Sequence, residues 1–371
     1  MTMLRQTIAF VLFFQLSPWL AAQETSTPFR KLDRNQDGKL TKDEFSGLLF
    51  DEIDADHDGI VTAEEDKVFS RARLDAPGFP LGSREFLDSI EVELNIPYAA
   101  TDNPRQRLDL YLPKKPANPK PLPIVVYVHG GAWQNGDRRG GLGIVGPLVE
   151  TGEYAGASLG YRLSGEAIWP AQIHDCKAAI RWLKTNAKKY NLDPDRIGVA
   201  GTSAGGHLVA MLGTSGDVAA LEGTVGGLLN VDSRVHCVVD EFGPTDLLSM
   251  RGTHDNGDSP ESKLVGGAIQ ENAEVARAAS PITYVTKEDP PIMMIHGTKD
   301  PLVPFQQSEL LFASLKKNGV ESILVAVEGA GHGNFGTKEV PSRMKQFFDK
   351  HLLGKTITIS DEPIKSPLRP R

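Results

Sequence analysis

Arg196-Ile-Gly-Val-Ala200-Gly201-Thr202-Ser203-Ala204-Gly205-Gly206-His207-Leu-Val-Ala-Met211 is the stretch on which the reading of this chain turns. Its first five residues form an apolar strand, and the residues from Ala204 onward read as a helix. Between them Gly201-Thr202-Ser203-Ala204-Gly205 is a G-x-S-x-G pattern. A sharp strand-to-helix turn needs glycine on both sides of the serine, because a side chain there would collide with the strained backbone that lifts Ser203 Oγ clear of a sheet. The pattern is short and common by itself. A strand before it and a helix after it make it a nucleophile elbow.

A serine becomes a nucleophile only with partners, and these follow in chain order. Upstream, Ile124-Val-Val-Tyr-Val128 is a continuous apolar run of the buried-strand kind, ending in His129-Gly130-Gly131-Ala132-Trp133. Backbone N–H groups of Gly131 and Ala132, with that of Ala204, would form an oxyanion hole, a contribution of roughly 3 kcal/mol per donor. Downstream, the strand Pro291-Ile-Met-Met-Ile295 leads to His296-Gly-Thr-Lys-Asp300, and Ile323-Leu-Val-Ala-Val327 leads to Glu328-Gly-Ala-Gly-His332. Serine, then acid after one strand, then histidine after the next is the chain order of α/β-hydrolases.

From about residue 89 to 353 the chain resembles the α/β-hydrolase superfamily, among it the esterases related to hormone-sensitive lipase and, more closely, bacterial feruloyl and acetyl esterases. The resemblance is carried by His129-Gly-Gly-Ala-Trp133, Asp193-Pro-Asp-Arg-Ile-Gly-Val-Ala-Gly-Thr-Ser-Ala-Gly-Gly206, Ser280-Pro-Ile-Thr-Tyr284, His296-Gly-Thr-Lys-Asp-Pro-Leu-Val-Pro304 and Gly329-Ala-Gly-His332. It departs from many lipase-like relatives at Ala132-Trp133, where they carry a third glycine, and at Thr202, where they often carry aspartate. Both departures favour the feruloyl-esterase branch. The resemblance implies a mostly parallel twisted sheet with helices on both faces, a Ser203-His332-Asp300 triad and an acyl-enzyme, with no cofactor in catalysis.

Other residues compete for these roles. His207 reads as a packing residue of the helix after the elbow, while His129 and His296 at strand ends read as structural hydrogen-bonding groups. Asp246 and Asp289 lie in loops that could also reach the site and rival Asp300. Trp133 belongs either to an acyl pocket or to a lid over the oxyanion loop. Residues 244–286 form a long excursion, and Asp255, Asn256, Asp258 and Ser259 make it either a carbohydrate-facing rim or a plain surface loop.

At the other end, residues 1–22 read as a secretory signal peptide. Arg5 precedes an apolar core from Ile8 to Leu16, then Pro18 and the small residues Ala21 and Ala22, too short and interrupted for a spanning helix. A secreted or periplasmic location follows as an expectation. The chain has two cysteines, Cys176 and Cys237, which either pair or stay as buried thiols.

Two twelve-residue loops come next. Asp33, Asn35, Asp37, Lys39 and Glu44, and then Asp54, Asp56, Asp58, Ile60 and Glu65, occupy positions 1, 3, 5, 7 and 12 of the EF-hand template. Side-chain oxygens and a position-7 carbonyl suit Ca2+, and glycine at position 6 permits the bend. Leu40 and Val61 at position 8 would pair as a small β-bridge. Only residues 45–53 separate the loops, roughly 13 Å if helical, as in a dockerin or other short extracellular calcium module. Residues 31–70 hold twelve acidic side chains against five basic ones, which accounts for seven of the chain's net charge of −8. The acidity therefore belongs to two structural calcium sites, the remainder is nearly neutral, and nucleic-acid binding is not indicated.

The expected organisation is a signal peptide (1–22), an EF-hand pair (23–72), a linker (73–88) around Ala76-Pro-Gly-Phe-Pro80, an α/β-hydrolase domain (89–353) and a disordered tail (354–371). Ile90, Val92, Leu94 and Ile96, then Leu108, Leu110 and Leu112, alternate as antiparallel opening strands. Helices are expected at 171–189, 204–213, 306–318 and 341–352. The function expected is a serine esterase for acetyl or feruloyl esters, with acylated plant or algal polysaccharide fragments as substrates and no integral membrane association. A short-chain lipase is the alternative. A peptidase of the prolyl oligopeptidase type would need a propeller ahead of the hydrolase, and a non-catalytic adaptor binding a protein through its calcium module would not need the three triad residues.

Overall fold

The chain divides into two units, residues 1–79 and 80–371. A computed structural model describes Phe29 and residues 32–44, 58–66, 89–333 and 335–367. The expected signal peptide, the linker at 73–88, and Asp54 and Asp56 of the second loop lie outside the described residues.

In the first unit β1 (Lys39–Thr41) pairs antiparallel with β2 (Ile60–Thr62), with Leu40 opposite Val61. The position-8 bridge read from the sequence is therefore present. Leu40, Val61 and Phe29 are buried together in a small core.

The second unit is a nine-stranded sheet in the order β11-β10-β9-β8-β7-β5-β6-β4-β3. β3 (Ile90–Pro97) and β4 (Arg107–Pro113) are antiparallel, and β4 also runs antiparallel to β6 (Ala155–Leu159). β5 (Leu122–Val128), β6, β7 (Leu192–Thr202), β8 (Cys237–Glu241), β9 (Ile292–Gly297) and β10 (Ser322–Glu328) are parallel. Every residue of β5 is buried, and its side chains alternate between two cores: Ile124, Val126 and Val128 on one face, Val125 and Tyr127 on the other. Strands covered on both faces read as unbroken apolar runs, which is why β5 and β9 are plain in the sequence.

Helices α2 (Ala171–Thr185), α3 (Ala204–Thr214) and α6 (Gln306–Lys317) cover the first face through Ile173, Leu208 and Leu311. α1 (Leu142–Glu150) and α7 (Glu339–Leu353) cover the second through Val145, Phe347 and Phe348. Cys176 and Cys237 are free and buried in opposite cores, with the sheet between them. The excursion after β8 holds two short helices, α4 (Pro260–Val265) and α5 (Ala273–Ala278).

Three expectations need correction. Ile90 and Ile96 are buried, but Val92 and Leu94 are exposed at 39% and 53%. A register shift between Glu93 and Ile96, with Asn95 at φ +63°, breaks the alternation on this edge strand. The helix after Pro170 ends at Thr185 rather than 189. The segment beyond 353 is not a disordered tail through residue 367: β11 (Ile364–Lys365) adds to the sheet beside β10, and the Arg343 guanidinium donates to the carbonyls of Ser360 (3.0 Å) and Glu362 (2.6 Å).

Among the described residues no helix is long and apolar enough to cross a membrane.

Candidate active site

Strand order reverses at β5, which lies between β6 and β7 in the sheet although β6 separates β5 from β7 in sequence. A crevice opens at the carboxyl ends of the strands at such a switch point. The segment 129–133 follows β5, Ser203 follows β7, Asp300 follows β9 and His332 follows β10, so the four loops converge on this end.

Ser203 sits at φ +54° and ψ −121°, a backbone conformation that L residues rarely adopt. Its N–H is held by the Glu241 carbonyl at 2.9 Å, and its carbonyl accepts the His207 N–H at 2.9 Å. The glycines are required by space: a Cβ on Gly201 would lie 2.3 Å from the Gly205 oxygen, and one on Gly205 would lie 2.1 Å from the Val128 oxygen.

His332 joins the serine to the acid. Its Nε2 is 3.0 Å from Ser203 Oγ and its Nδ1 is 2.7 Å from Asp300 Oδ2. The Asp300 side chain is fully buried, and its Oδ1 accepts the N–H groups of Leu302 (2.8 Å) and Val303 (2.9 Å). Oδ2 also lies 3.2 Å from His296 Nε2. Burial raises the Asp300 pKa, but the bonds from His296, His332 and Val303 outweigh it and hold the carboxyl well below the usual carboxylate range. Asp246 and Asp289 are elsewhere engaged: Asp246 caps the Leu248 N–H, and Asp289 bonds Thr286. The phenyl ring of Phe242, at φ +47°, packs edge-on against His332 with centroids 4.7 Å apart.

The oxyanion segment is bent by positive φ at Gly131 (+111°), Ala132 (+53°) and Trp133 (+55°). The Gly131 carbonyl turns away into the loop and accepts from the N–H groups of Gln134 (3.0 Å) and Asn135 (2.9 Å). Ala204 is the first residue of α3, so its N–H has no intrahelical acceptor. These features suit the three N–H groups to a developing negative charge.

Three other histidines have structural partners. His129 Nδ1 donates to the Gly130 carbonyl at 2.7 Å, and its ring stacks on Tyr161 at 4.3 Å. His207 Nε2 donates to the Ala279 carbonyl at 2.6 Å, while its Nδ1 accepts the Trp133 indole N–H at 3.2 Å. Burial pulls each of these two imidazoles down to about 4, so both are neutral near pH 7. His296 bonds Ser308 Oγ (2.7 Å) and the Val303 carbonyl (3.0 Å). Trp133 is only 1% exposed. Its indole anchors the oxyanion loop from beneath, so the reading of Trp133 as a substrate-binding residue is corrected: burial leaves it no face for a ligand.

Sequence reasoning missed Phe242 and the carbonyl of Glu241. Nothing in Asp240-Glu241-Phe242-Gly243 announces either role. Asp240 and Glu241 are buried, and burial pushes them up to about 6 and about 7, the second also through the charge of the first.

In the EF-hand loops, Gly38 and Gly59 have φ +80° and +83°. Asp33 accepts the N–H groups of Asp37 (3.1 Å) and Gly38 (3.0 Å), Asn35 accepts that of Asp37 (2.9 Å), and Asp37 accepts that of Lys39 (2.9 Å). Glu44 reaches back to the Thr41 N–H (3.3 Å), as Glu65 does to that of Thr62 (2.9 Å), while Asp58 accepts the Ile60 N–H (2.8 Å). The position-5 and position-12 carboxylates of both loops thus hold the backbone alike, and the oxygen donors described in the first loop are of the kind that suits a hard divalent cation. Among the described residues no three carboxylates are gathered within reach of one ion.

The fold and the hydrogen-bonded serine, histidine and aspartate define an α/β-hydrolase of the serine type. The sequence profile of BD-FAE matches residues 108–315, and that of the EF hand matches residues 28–49 and 47–65. The chain belongs to the BD-FAE family of α/β-hydrolase esterases. It is similar to Esterase LipQ of Mycobacterium tuberculosis, 34% identical over 241 residues that make up 64% of this chain and 56% of that protein. The chain therefore spans little more than half of that relative. Among solved structures it is similar to a truncated carbohydrate esterase from gut microbiota, with 34% identity, a TM-score of 0.67, and coverage of 71% of this chain and 96% of that one. It is also similar to a bifunctional GH43-CE protein of Bacteroides eggerthii, with 35% identity, a TM-score of 0.65, and coverage of 70% and 35%.

Proposed function

We propose that this chain is a secreted serine carboxylic-ester hydrolase for acetyl or feruloyl esters carried by carbohydrate. The observation that carries the chemistry is His332, bonded at once to Ser203 Oγ and Asp300 Oδ2. With Nδ1–H donated to the ionised Asp300, the Nε2 lone pair faces the serine hydroxyl. His332 takes the serine proton as Oγ attacks the ester carbonyl, and the N–H groups of Gly131, Ala132 and Ala204 receive the oxyanion. The imidazolium, stabilised by Asp300, returns the proton to the departing alcohol. Water then hydrolyses the acyl-enzyme by the same route, with His332 as base.

Carbohydrate-linked esters are supported by the likeness to the gut-microbiota carbohydrate esterase and by the exposed Asn256 and Asp258 of the excursion after β8. The apolar start at residues 1–22 supports export. The EF-hand match supports two structural calcium ions held by Asp33, Asn35, Asp37, Glu44 and the Lys39 carbonyl, and by Asp54, Asp56, Asp58, Glu65 and the Ile60 carbonyl.

The test pairs Ser203→Ala with a fluorophosphonate probe. Wild-type protein should hydrolyse p-nitrophenyl acetate and take the label, and the variant should do neither while remaining folded. Unchanged turnover in the variant would remove Ser203 from the mechanism. Acetylated xylan and methyl ferulate then rank the acyl group.

A further inference from the structure

Directly after the oxyanion loop the chain forms an open pocket of about 380 Å³ lined by Gln134, Asn135, Ser164, Gly165 and Lys263. It is built onto the catalytic loop: Gln134 and Asn135 donate to the Gly131 carbonyl, and the Ser164 N–H donates to the Trp133 carbonyl at 2.8 Å. One of its groups lacks a hydrogen-bond partner, and another carries a charge with no carboxylate against it among the described residues. Ser164 is 8% exposed, and its buried hydroxyl has no hydrogen-bond partner among the described residues. A buried hydroxyl without a partner is costly, which argues for a ligand or water that completes it. Lys263, on α4, is exposed and touches only the amide oxygen of Gln134, at 3.3 Å. No carboxylate pairs with it among the described residues, and none lines the pocket.

We propose that this pocket receives a carboxylate-bearing sugar ring of the substrate, so that the protein prefers esters of acidic over neutral sugars. This rests on the ester-hydrolase reading above. The Lys263 ammonium supplies the charge. Gln134, whose amide oxygen accepts from Lys263, turns its NH2 to the ligand, and the Ser164 and Asn135 side chains complete the donor set for carboxylate and ring hydroxyls. Charge-assisted bonds of this kind are the stronger ones, and a single cation suffices to separate a carboxylate from a hydroxymethyl group. Glu166, next to Gly165, is engaged by the Asn103 amide, and Glu261, on the same helix as Lys263, pairs with His254 at 3.1 Å.

The experiment measures kcat/KM of the full chain on p-nitrophenyl acetate, an acetylated methyl glucoside, an acetylated methyl glucuronoside and p-nitrophenyl hydrogen succinate. Wild-type protein should favour the glucuronoside over the glucoside by roughly tenfold. Lys263→Met should erase that ratio and Lys263→Glu should invert it, while Ser164→Ala should lower it in part. An equal wild-type rate on the two sugars, a ratio that survives Lys263→Met, or a Lys263-dependent preference for the succinate alone would each overturn the proposal. Absence of p-nitrophenyl acetate turnover in the wild type would instead overturn the ester-hydrolase reading.

Discussion

Asp300 Oδ2 is shared by two imidazoles, His332 at 2.7 Å and the fully buried His296 at 3.2 Å. Asp300→Asn keeps the shape and removes the charge that orients His332. It should lower kcat on p-nitrophenyl acetate by on the order of 10⁴-fold. His296→Asn leaves the triad intact and takes one charge-assisted bond from Asp300, so a loss of roughly tenfold is expected. A larger loss in the second variant than in the first would reverse the ranking of the two histidines. Because the Asp300 pKa is depressed, its stabilising contribution is present above the ordinary carboxylate value and is lost only as pH falls below it. Thermal melts of wild type and Asp300→Asn should therefore diverge least below about pH 4.

Asp240 and Glu241 have the opposite sign. Burial raises both, to about 6 and about 7, so the folded state keeps their protons at a pH where the unfolded chain has lost them. The associated stability is full below the ordinary carboxyl range and declines as pH rises through 6 to 7. Asp240→Asn with Glu241→Gln should abolish a decline on the order of 2 kcal/mol per group between pH 5 and pH 8, read from urea melts. A wild type equally stable at both ends would show that the pair is ionised throughout.

Trp133 and His207 test whether the indole is structural. Trp133→Phe leaves His207 Nδ1 buried without its donor, and should cost about 1–3 kcal/mol in a denaturant melt. KM for p-nitrophenyl acetate should stay within about twofold. A raised KM at unchanged stability would return the indole to the acyl pocket.

Calcium should act on stability alone. At a Kd on the order of 0.1–1 mM, about tenfold excess calcium should stabilise the EF-hand unit by roughly 1.4 kcal/mol for each occupied site. Asp33→Ala, which empties the first site alone, should remove about half of that shift in calorimetry, and Asp33→Ala with Asp54→Ala should abolish it. EDTA should leave p-nitrophenyl acetate turnover unchanged; loss of turnover from a still-folded hydrolase unit would make calcium a catalytic requirement.

The parts legible from sequence were those whose residue types are forced locally. Gly201 and Gly205 have no room for a side chain, and β5 and β9 are apolar on both faces because both faces are covered. β6 escaped notice because Ala155-Gly-Ala-Ser-Leu159 is built of small residues, chosen by contact: a Cβ on Gly156 would lie 2.7 Å from Val145 Cγ2. α1 was hidden by its internal Pro147 and glycines. The segment after 353 looked polar and proline-rich, and it becomes a strand only because β10 offers an open edge.

By itself, the sequence determined the strand-turn-helix at Ser203, the order of serine, acid and base, and the paired loops with Leu40 opposite Val61, since each follows from spacing along the backbone. Tertiary structure alone decided that Asp300 serves two histidines, that Trp133 faces inward to His207, that Phe242 packs on His332, and that Lys263 bonds Gln134 with no carboxylate partner among the described residues. Those relations join residues far apart in the chain, and no local pattern specifies them, because each depends on which strands the sheet places side by side.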